Sequence, residues 1–230
     1  MENVSTFDGD RYFVPATGDG DPTRTVIADP IGTEINQAYL RYNPKHFNDS
    51  DLSLDLRAGR QRIILDDSRF VGNVGWRQFE QTYDAVSIRT NFGLERFSAF
   101  YAYIWGVQRI FGPDGLNPES ESYGIRFSGN LFDDPNETDD TIAEYELTYA
   151  NQSDAGRNPT SYDADFYAAQ LKLTQPNLGY LVAGYQFLGS DNGVFAFRFP
   201  LGTNHKFQGF ADNFLTTPAG GLQDLYFGIG

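Results

Sequence analysis

The stretch Leu54–Val86, LDLRAGRQRIILDDSRFVGNVGWRQFEQTYDAV, decides how this chain is read. It opens in strict alternation, with Leu54, Leu56 and Ala58 on one side of an extended segment and Asp55, Arg57 and Gly59 on the other. Arg57, Arg60, Arg62, Arg69 and Arg77 then crowd a short span that still carries Ile63, Ile64, Leu65, Phe70 and Trp76. A solvated turn has no need of those apolar residues. Guanidinium groups interleaved with β-formers point to a strand whose polar face looks into a wet cavity.

The same alternation recurs on both sides of this stretch. About ten strand-like segments are legible: Thr33–Tyr42, Asp51–Gln61, Tyr83–Phe92, Phe97–Val107, Ser122–Leu131, Thr141–Ala150, Asp163–Thr174, Gly179–Leu188, Lys206–Phe214 and Leu222–Ile229. In Thr141–Ala150, for example, Tyr145, Leu147 and Tyr149 oppose Glu144, Glu146 and Thr148. Polar, Gly- or Pro-bearing segments such as Asn43–Ser50, Gly112–Ser120, Leu131–Asp140 and Asn151–Asp163 connect them. No amphipathic helix and no solenoid repeat is present in the pattern. The fold class is therefore all-β and antiparallel. One face of the strands is apolar and aromatic, and the other carries Arg, Glu, Lys, Gln and Thr.

Composition agrees with that class. Twenty Phe and 14 Tyr stand against a single Met, and Gly occurs 24 times, a balance that favours pleated sheet over helix. The longest apolar run, Ala99–Val107, is far short of the roughly 18 residues of a membrane-crossing helix. A membrane role would need a barrel, whose strands require only about 9–11 alternating residues each. A mean hydropathy of −0.45 is compatible with this, because half of each strand faces water. At 230 residues the chain reads as a single domain, residues 1–230, and it contains no cysteine for a disulfide or thiolate metal site. The net charge of −14 disfavours a nucleic-acid partner. The basic residues are nonetheless concentrated, since eight Arg lie between Arg57 and Arg109. Arg serves better than Lys where carboxylate is held in a planar fork.

Several long motifs carry a family likeness. GRQR at Gly59–Arg62, RFVGNVGWRQ at Arg69–Gln78 and EQTYDA at Glu80–Ala85 resemble the alginate-export family of outer-membrane β-barrels. DPIGTEINQAYLRY at Asp29–Tyr42, RIFGPDG at Arg109–Gly115, YDADFY at Tyr162–Tyr167, LGSDNG at Leu188–Gly193 and HKFQGFADNFLTTPAGGLQDLY at His205–Tyr226 extend the likeness along the chain. The resemblance implies a transmembrane barrel in the Gram-negative outer membrane. It also implies passive passage of anionic solute, an anionic polysaccharide such as alginate or a small anion, with membrane lipid outside. Neither a basic n-region nor an apolar h-region follows Met1, so a signal peptide is expected outside this sequence. By the same resemblance the chain is expected to be the interior part of a larger barrel, with Glu2–Tyr12 finishing one strand and more strands beyond Gly230.

By resemblance, an arginine-lined interior selects polyuronate anions, and the candidate lining residues are Arg57, Arg60, Arg62, Arg69, Arg77, Arg89, Arg109, Arg126, Glu144 and Lys172. Strand phase places Arg57, Arg89 and Arg126 on the polar face. Arg60 and Arg62 fall on the other phase unless a bulge near Gly59 shifts the strand. The competing reading is a ladder in which arginines brace the wall by pairing with Asp55, Asp66, Asp67, Glu80, Glu144 or Glu146. The two are compatible, since acids that orient arginines also tune the field. Tyr39, Tyr42, Tyr83, Tyr101, Tyr103, Phe187, Phe207 and Phe210 are candidates for aromatic girdles, or for ordinary β-core.

No enzyme signature competes well. Glu144 and Glu146 sit two apart like paired hydrolase carboxylates, but Thr148 stands where a third acid in alternation would belong. The acids Asp133, Asp134, Asp139 and Asp140, or Asp154, Asp163 and Asp165, match no calcium loop, and His46 and His205 have no ligand spacing. No cofactor is expected. The main alternative is a soluble β-sandwich that binds carbohydrate, with the apolar faces forming a shared core.

Overall fold

Residues Leu52–Gln61 form a continuous strand that carries the Leu54/Asp55 alternation. A computed structural model describes residues 1–5, 12–27, 29–44, 52–65, 68, 71–75, 77–92, 97–112, 120–132, 142–155, 159–198 and 216–230. Within them the strands are β1 (Glu2–Val4), β2 (Phe13–Val14), β3 (Asp19–Gly20), β4 (Gly32–Glu34) and β5 (Ala38–Tyr42). There follow β6 (Leu52–Gln61), β7 (Thr82–Phe92), β8 (Phe97–Gln108), β9 (Ser120–Phe132) and β10 (Ile142–Asp154). The last are β11 (Asp163–Gln175), β12 (Gly179–Leu188), β13 (Ser190–Asp191), β14 (Phe195–Ala196) and β15 (Leu222–Ile229). The described residues are all-β, and among them no helix is long and apolar enough to cross a membrane.

Nine of these strands make one antiparallel sheet in the order β15-β12-β11-β10-β9-β8-β7-β6-β5. Each neighbour in sequence is a neighbour in space, apart from the longer excursion between β12 and β15. The sheet is open among the described residues: β5 and β15 each pair on one side only. β1 pairs with β4, from Glu2↔Glu34 to Val4↔Gly32, outside the large sheet. The expected strand Thr33–Tyr42 is divided between two sheets at Ile35–Gln37, with Gly32–Glu34 in one and Ala38–Tyr42 in the other. Thr141–Ala150 instead continues to Asp154, because Asn151–Ser153 keep the ladder with Asp163–Asp165. The expected strand Lys206–Phe214 lies outside the described residues.

Register fixes two faces. Leu56↔Ile88, Ile88↔Tyr101, Tyr101↔Ile125, Ile125↔Tyr149 and Tyr149↔Tyr167 share one of them. Large apolar side chains on this face remain uncovered, including Leu147 at 48%, Leu171 at 42%, Leu225 at 65% and Phe227 at 74%. No second sheet lies against it among the described residues, whose other sheets have two strands each. An aromatic row, Tyr123, Tyr149, Tyr167 and Phe187, crosses it with ring centroids 5.3–6.3 Å apart. Two of the expected girdle residues are elsewhere: Tyr83 is fully buried, and Tyr39 lies beneath the Arg57 guanidinium.

The buried side chains gather on the opposite face, at the end where β6, β8, β10 and β12 finish. Ile63, Tyr83, Ala85, Phe100, Ala102, Ile104 and Val107 form one cluster, against which Leu65 and Val71 pack from the β6–β7 connection. Tyr162, Ala164, Phe166, Leu188 and Phe197 form another, joined by Phe195 from the β13–β14 hairpin. Tyr162 stacks on Phe195 at 3.9 Å and Phe166 on Phe197 at 5.3 Å. Two connections therefore fold inward over one end of the sheet, and they supply the core that a second sheet would supply in a sandwich.

Candidate functional site

The polar face is held by carboxylate–guanidinium pairs set by register. On β6, Arg57 and Asp55 are two apart and so share a face. Arg57 donates to Asp55 through Nε at 3.3 Å and Nη2 at 2.8 Å, while Arg41 on β5 donates to the same carboxylate with two bonds of 3.0 Å. Asp55 also stands opposite Arg89 on β7, whose guanidinium lies 5.1 Å from the Phe100 ring centre. On β9 and β10, Arg126 meets Glu146 at 3.2 Å and donates from Nη1 to Ser128 Oγ at 2.6 Å. Farther along, Lys172 donates to Glu144 at 2.8 Å across the β10–β11 ladder. Arg57, Arg62 and Arg89 converge on a polar cavity of about 320 Å³ that Asp55, Gln61 and Ser87 also line.

The other sequence candidates are held differently, and Arg60 leaves this face altogether. Arg60 is on the Leu-bearing phase, where it clamps Asp84 with two 2.9 Å bonds and donates to the Ile35 carbonyl at 3.2 Å. No register shift occurs in β6 near Gly59; the bulge is between β7 and β8, at Asp84/Ala85. Gly59 instead has a φ of +120°, and a Cβ there would stand 2.5 Å from the Ala38 carbonyl, so the edge strand approaches too closely for any side chain. Arg62, just past the strand, forks onto Glu80 at 2.8 and 2.6 Å, and Asn73 donates to that carboxylate at 2.7 Å. These bonds from Arg62 and Asn73 hold Glu80 below its ordinary range against the effect of burial. Arg77 is 3.7 Å from Asp29, and Arg109 is largely buried over Phe111, which pulls its guanidinium below the ordinary value. Arg69 lies outside the described residues.

The end capped by the inward connections carries a group that sequence reading missed. Glu34 on β4 is 5% exposed, and among the described residues no donor meets either carboxylate oxygen in hydrogen-bond geometry. Burial, with Glu2 nearby, pushes it up to about 7. Its only sequence signal is an acid inside an otherwise apolar and small run, which does not report burial. Arg41 was visible on the polar phase of its strand, but its sharing of Asp55 depends on the β5–β6 register.

Among the acids read as loop candidates, Asp163 and Asp165 accept from Asn151, and Asp154 accepts from the Tyr162 N–H. Among the described residues no group of three or more His, Cys, Asp or Glu side chains is arranged to hold a metal. Asp133, Asp134, Asp139, Asp140, His46 and His205 lie outside the described residues, as do Phe207 and Phe210.

Comparison with known proteins returns one family. The sequence model described as alginate export matches residues 19–153, more than half of the chain and the part that holds β3 through most of β10. No curated protein and no solved structure matches. An all-β antiparallel chain, with arginines forked onto carboxylates along one face of its sheet, is thus placed by its sequence in the alginate export family, a transport family of the Gram-negative outer membrane, and the chain belongs to it.

Proposed function

We propose that this chain forms the wall of an outer-membrane channel through which anionic solutes, uronate-containing polysaccharide among them, pass without a chemical step. The observation that carries the reading is the division of the nine-stranded sheet into an uncovered apolar face and an opposite face of forked charges. Soluble monomers rarely expose contiguous apolar patches larger than a few hundred Å². Here the apolar face runs across all nine strands, and hydrocarbon is the medium that suits it. A soluble carbohydrate-binding sandwich would bury that face against a second sheet, and none lies there among the described residues. In lipid the edges β5 and β15 also need partners, because unsatisfied backbone groups are costly there.

On the polar side, Arg57, Arg89 and Arg126 would raise the local anion concentration and replace part of the hydration of a passing carboxylate. Asp55 beside Arg57 and Glu146 beside Arg126 hold those side chains in place and reduce the net field, so solute is attracted without being trapped. Glu144 and Lys172 would continue the lining towards the far end of β10 and β11. The test is conductance of the full-length gene product in planar bilayers across a salt gradient. Neutralising Arg57, Arg89 and Arg126 together to Gln should lower anion over cation permeability, most visibly at low salt where screening is weak. Unchanged reversal potentials would show that these residues only brace the wall.

A further inference from the structure

The two inward connections leave a slot between them that the charge ladder does not explain. Leu65 and Val71 reach it from the β6–β7 connection, Phe197 and Arg198 from the segment after β14, and Phe100 and Phe166 from the sheet. Gly124 forms part of its floor on β9. The wall is overwhelmingly apolar, so water inside would find few of the partners that hold buried water in place. Arg126 also borders the slot, but its guanidinium is engaged by Ser128 and Glu146. Arg198 differs. Its guanidinium lies 4.1 Å from the Phe195 ring centre, its side chain is exposed, and among the described residues no carboxylate pairs with it. Its backbone is fixed by donation from the Arg198 N–H to Gln152 at 3.1 Å.

We propose that this slot binds a short-chain carboxylate, the alkyl chain between the aromatic walls and the carboxylate on Arg198. An apolar pocket with a few polar groups at its mouth is the usual form of a small-ligand site. Its volume of about 60 Å³ is well below the roughly 150 Å³ that encloses the six carbons of a benzene ring, so an alkyl chain of only two or three carbons is accommodated and a polymer is not. A sugar, with hydroxyls on every side, would leave them unsatisfied against these walls. The occupant touches both inward connections at once, and bound ligand would tie them to each other. The inference goes beyond the channel reading, because binding is measured without current.

The test uses full-length protein in lipid nanodiscs, titrated calorimetrically with propanoate and with neutral 1-propanol, against empty nanodiscs. Saturable propanoate binding is expected, and Arg198→Gln should weaken propanoate about tenfold while leaving propanol unchanged. Gly124→Val should abolish both. A Cβ at Gly124 would stand 3.5 Å from the Ala150 Cβ, ordinary contact, so the added methyls occupy the slot rather than displace the sheet. Ala150→Val fills the slot from the neighbouring strand if Gly124→Val does not fold. Absence of saturable binding, unchanged affinity in a folded filling variant, or equal weakening of both ligands by Arg198→Gln would overturn the proposal. Normal anion selectivity without propanoate binding would overturn this inference alone, and binding with no conductance would overturn the channel reading alone.

Discussion

The two faces of β10 are built from one run of residues yet answer to different surroundings. Tyr145, Leu147 and Tyr149 share the apolar face with Ile125, Phe127, Leu171 and Tyr167, and Leu147 is 48% exposed. Glu144, Glu146 and Thr148 face the other way, where Lys172 and Arg126 take the two carboxylates. The difference teaches that the sheet's stability does not come from a shared core over most of its length. Its apolar face is left to the medium, and its polar face is held by charge pairing and by the two connections folded over one end.

The largest effect expected from breaking that contrast is at Leu147. Leu147→Arg should destabilise the protein by about 2–4 kcal/mol in a bilayer, measured by denaturant titration of protein refolded into vesicles. Thr148→Arg, one residue along and on the opposite face, should cost far less. Equal costs at the two positions would remove the distinction between the faces.

Next in size is the capped end. Glu34 has its folded value raised from 4.5 to about 7 by burial beside Glu2, so the native state holds a proton that the unfolded chain releases near 4.5. The stability this group contributes is therefore full below about pH 4.5 and is lost as pH rises through about 7, a change of about 3 kcal/mol. Glu34→Gln should flatten the stability profile across that window; a mutant profile parallel to wild type would show that Glu34 ionises normally.

Gly59→Ala tests the edge of the sheet. With φ at +120° and the Ala38 carbonyl in the way, the substitution should cost about 1–3 kcal/mol and loosen the β5 pairing, seen as faster amide exchange at Ala38–Tyr42. Exchange unchanged at those residues would mean that the edge strand accommodates a methyl group.

The smallest effect expected is at the exposed pair Lys172–Glu144, whose side chains are 38% and 44% accessible. A double-mutant cycle should return below about 1 kcal/mol, and less at high salt. A coupling several times larger would mean that the polar face is shielded from water.

Much of this contrast was legible beforehand. Period-two alternation is a local property, and it placed most of the large sheet's strands and their two faces correctly, with Leu147 on the apolar face and Arg57, Arg89 and Arg126 together on the polar one. The ends of strands were less legible, because Asn151–Ser153 and the Ile35–Gln37 break depend on which neighbour offers backbone partners. The candidate site was legible as residue types but not as an arrangement.

By itself, the amino-acid order determined the all-β class, the apolar and polar phases, the concentration of arginine and the family. Those follow from side-chain chemistry repeated at the pleat's own period, which needs no knowledge of distant residues. Only the tertiary structure decided that Arg57 shares Asp55 with Arg41, that Arg60 turns to Asp84 on the other face, and that Tyr83 lies under the β6–β7 connection with its hydroxyl on the Gly72 carbonyl. Each of those rests on register or on a loop's path across the sheet, and both are settled by residues far apart in sequence competing for the same partner.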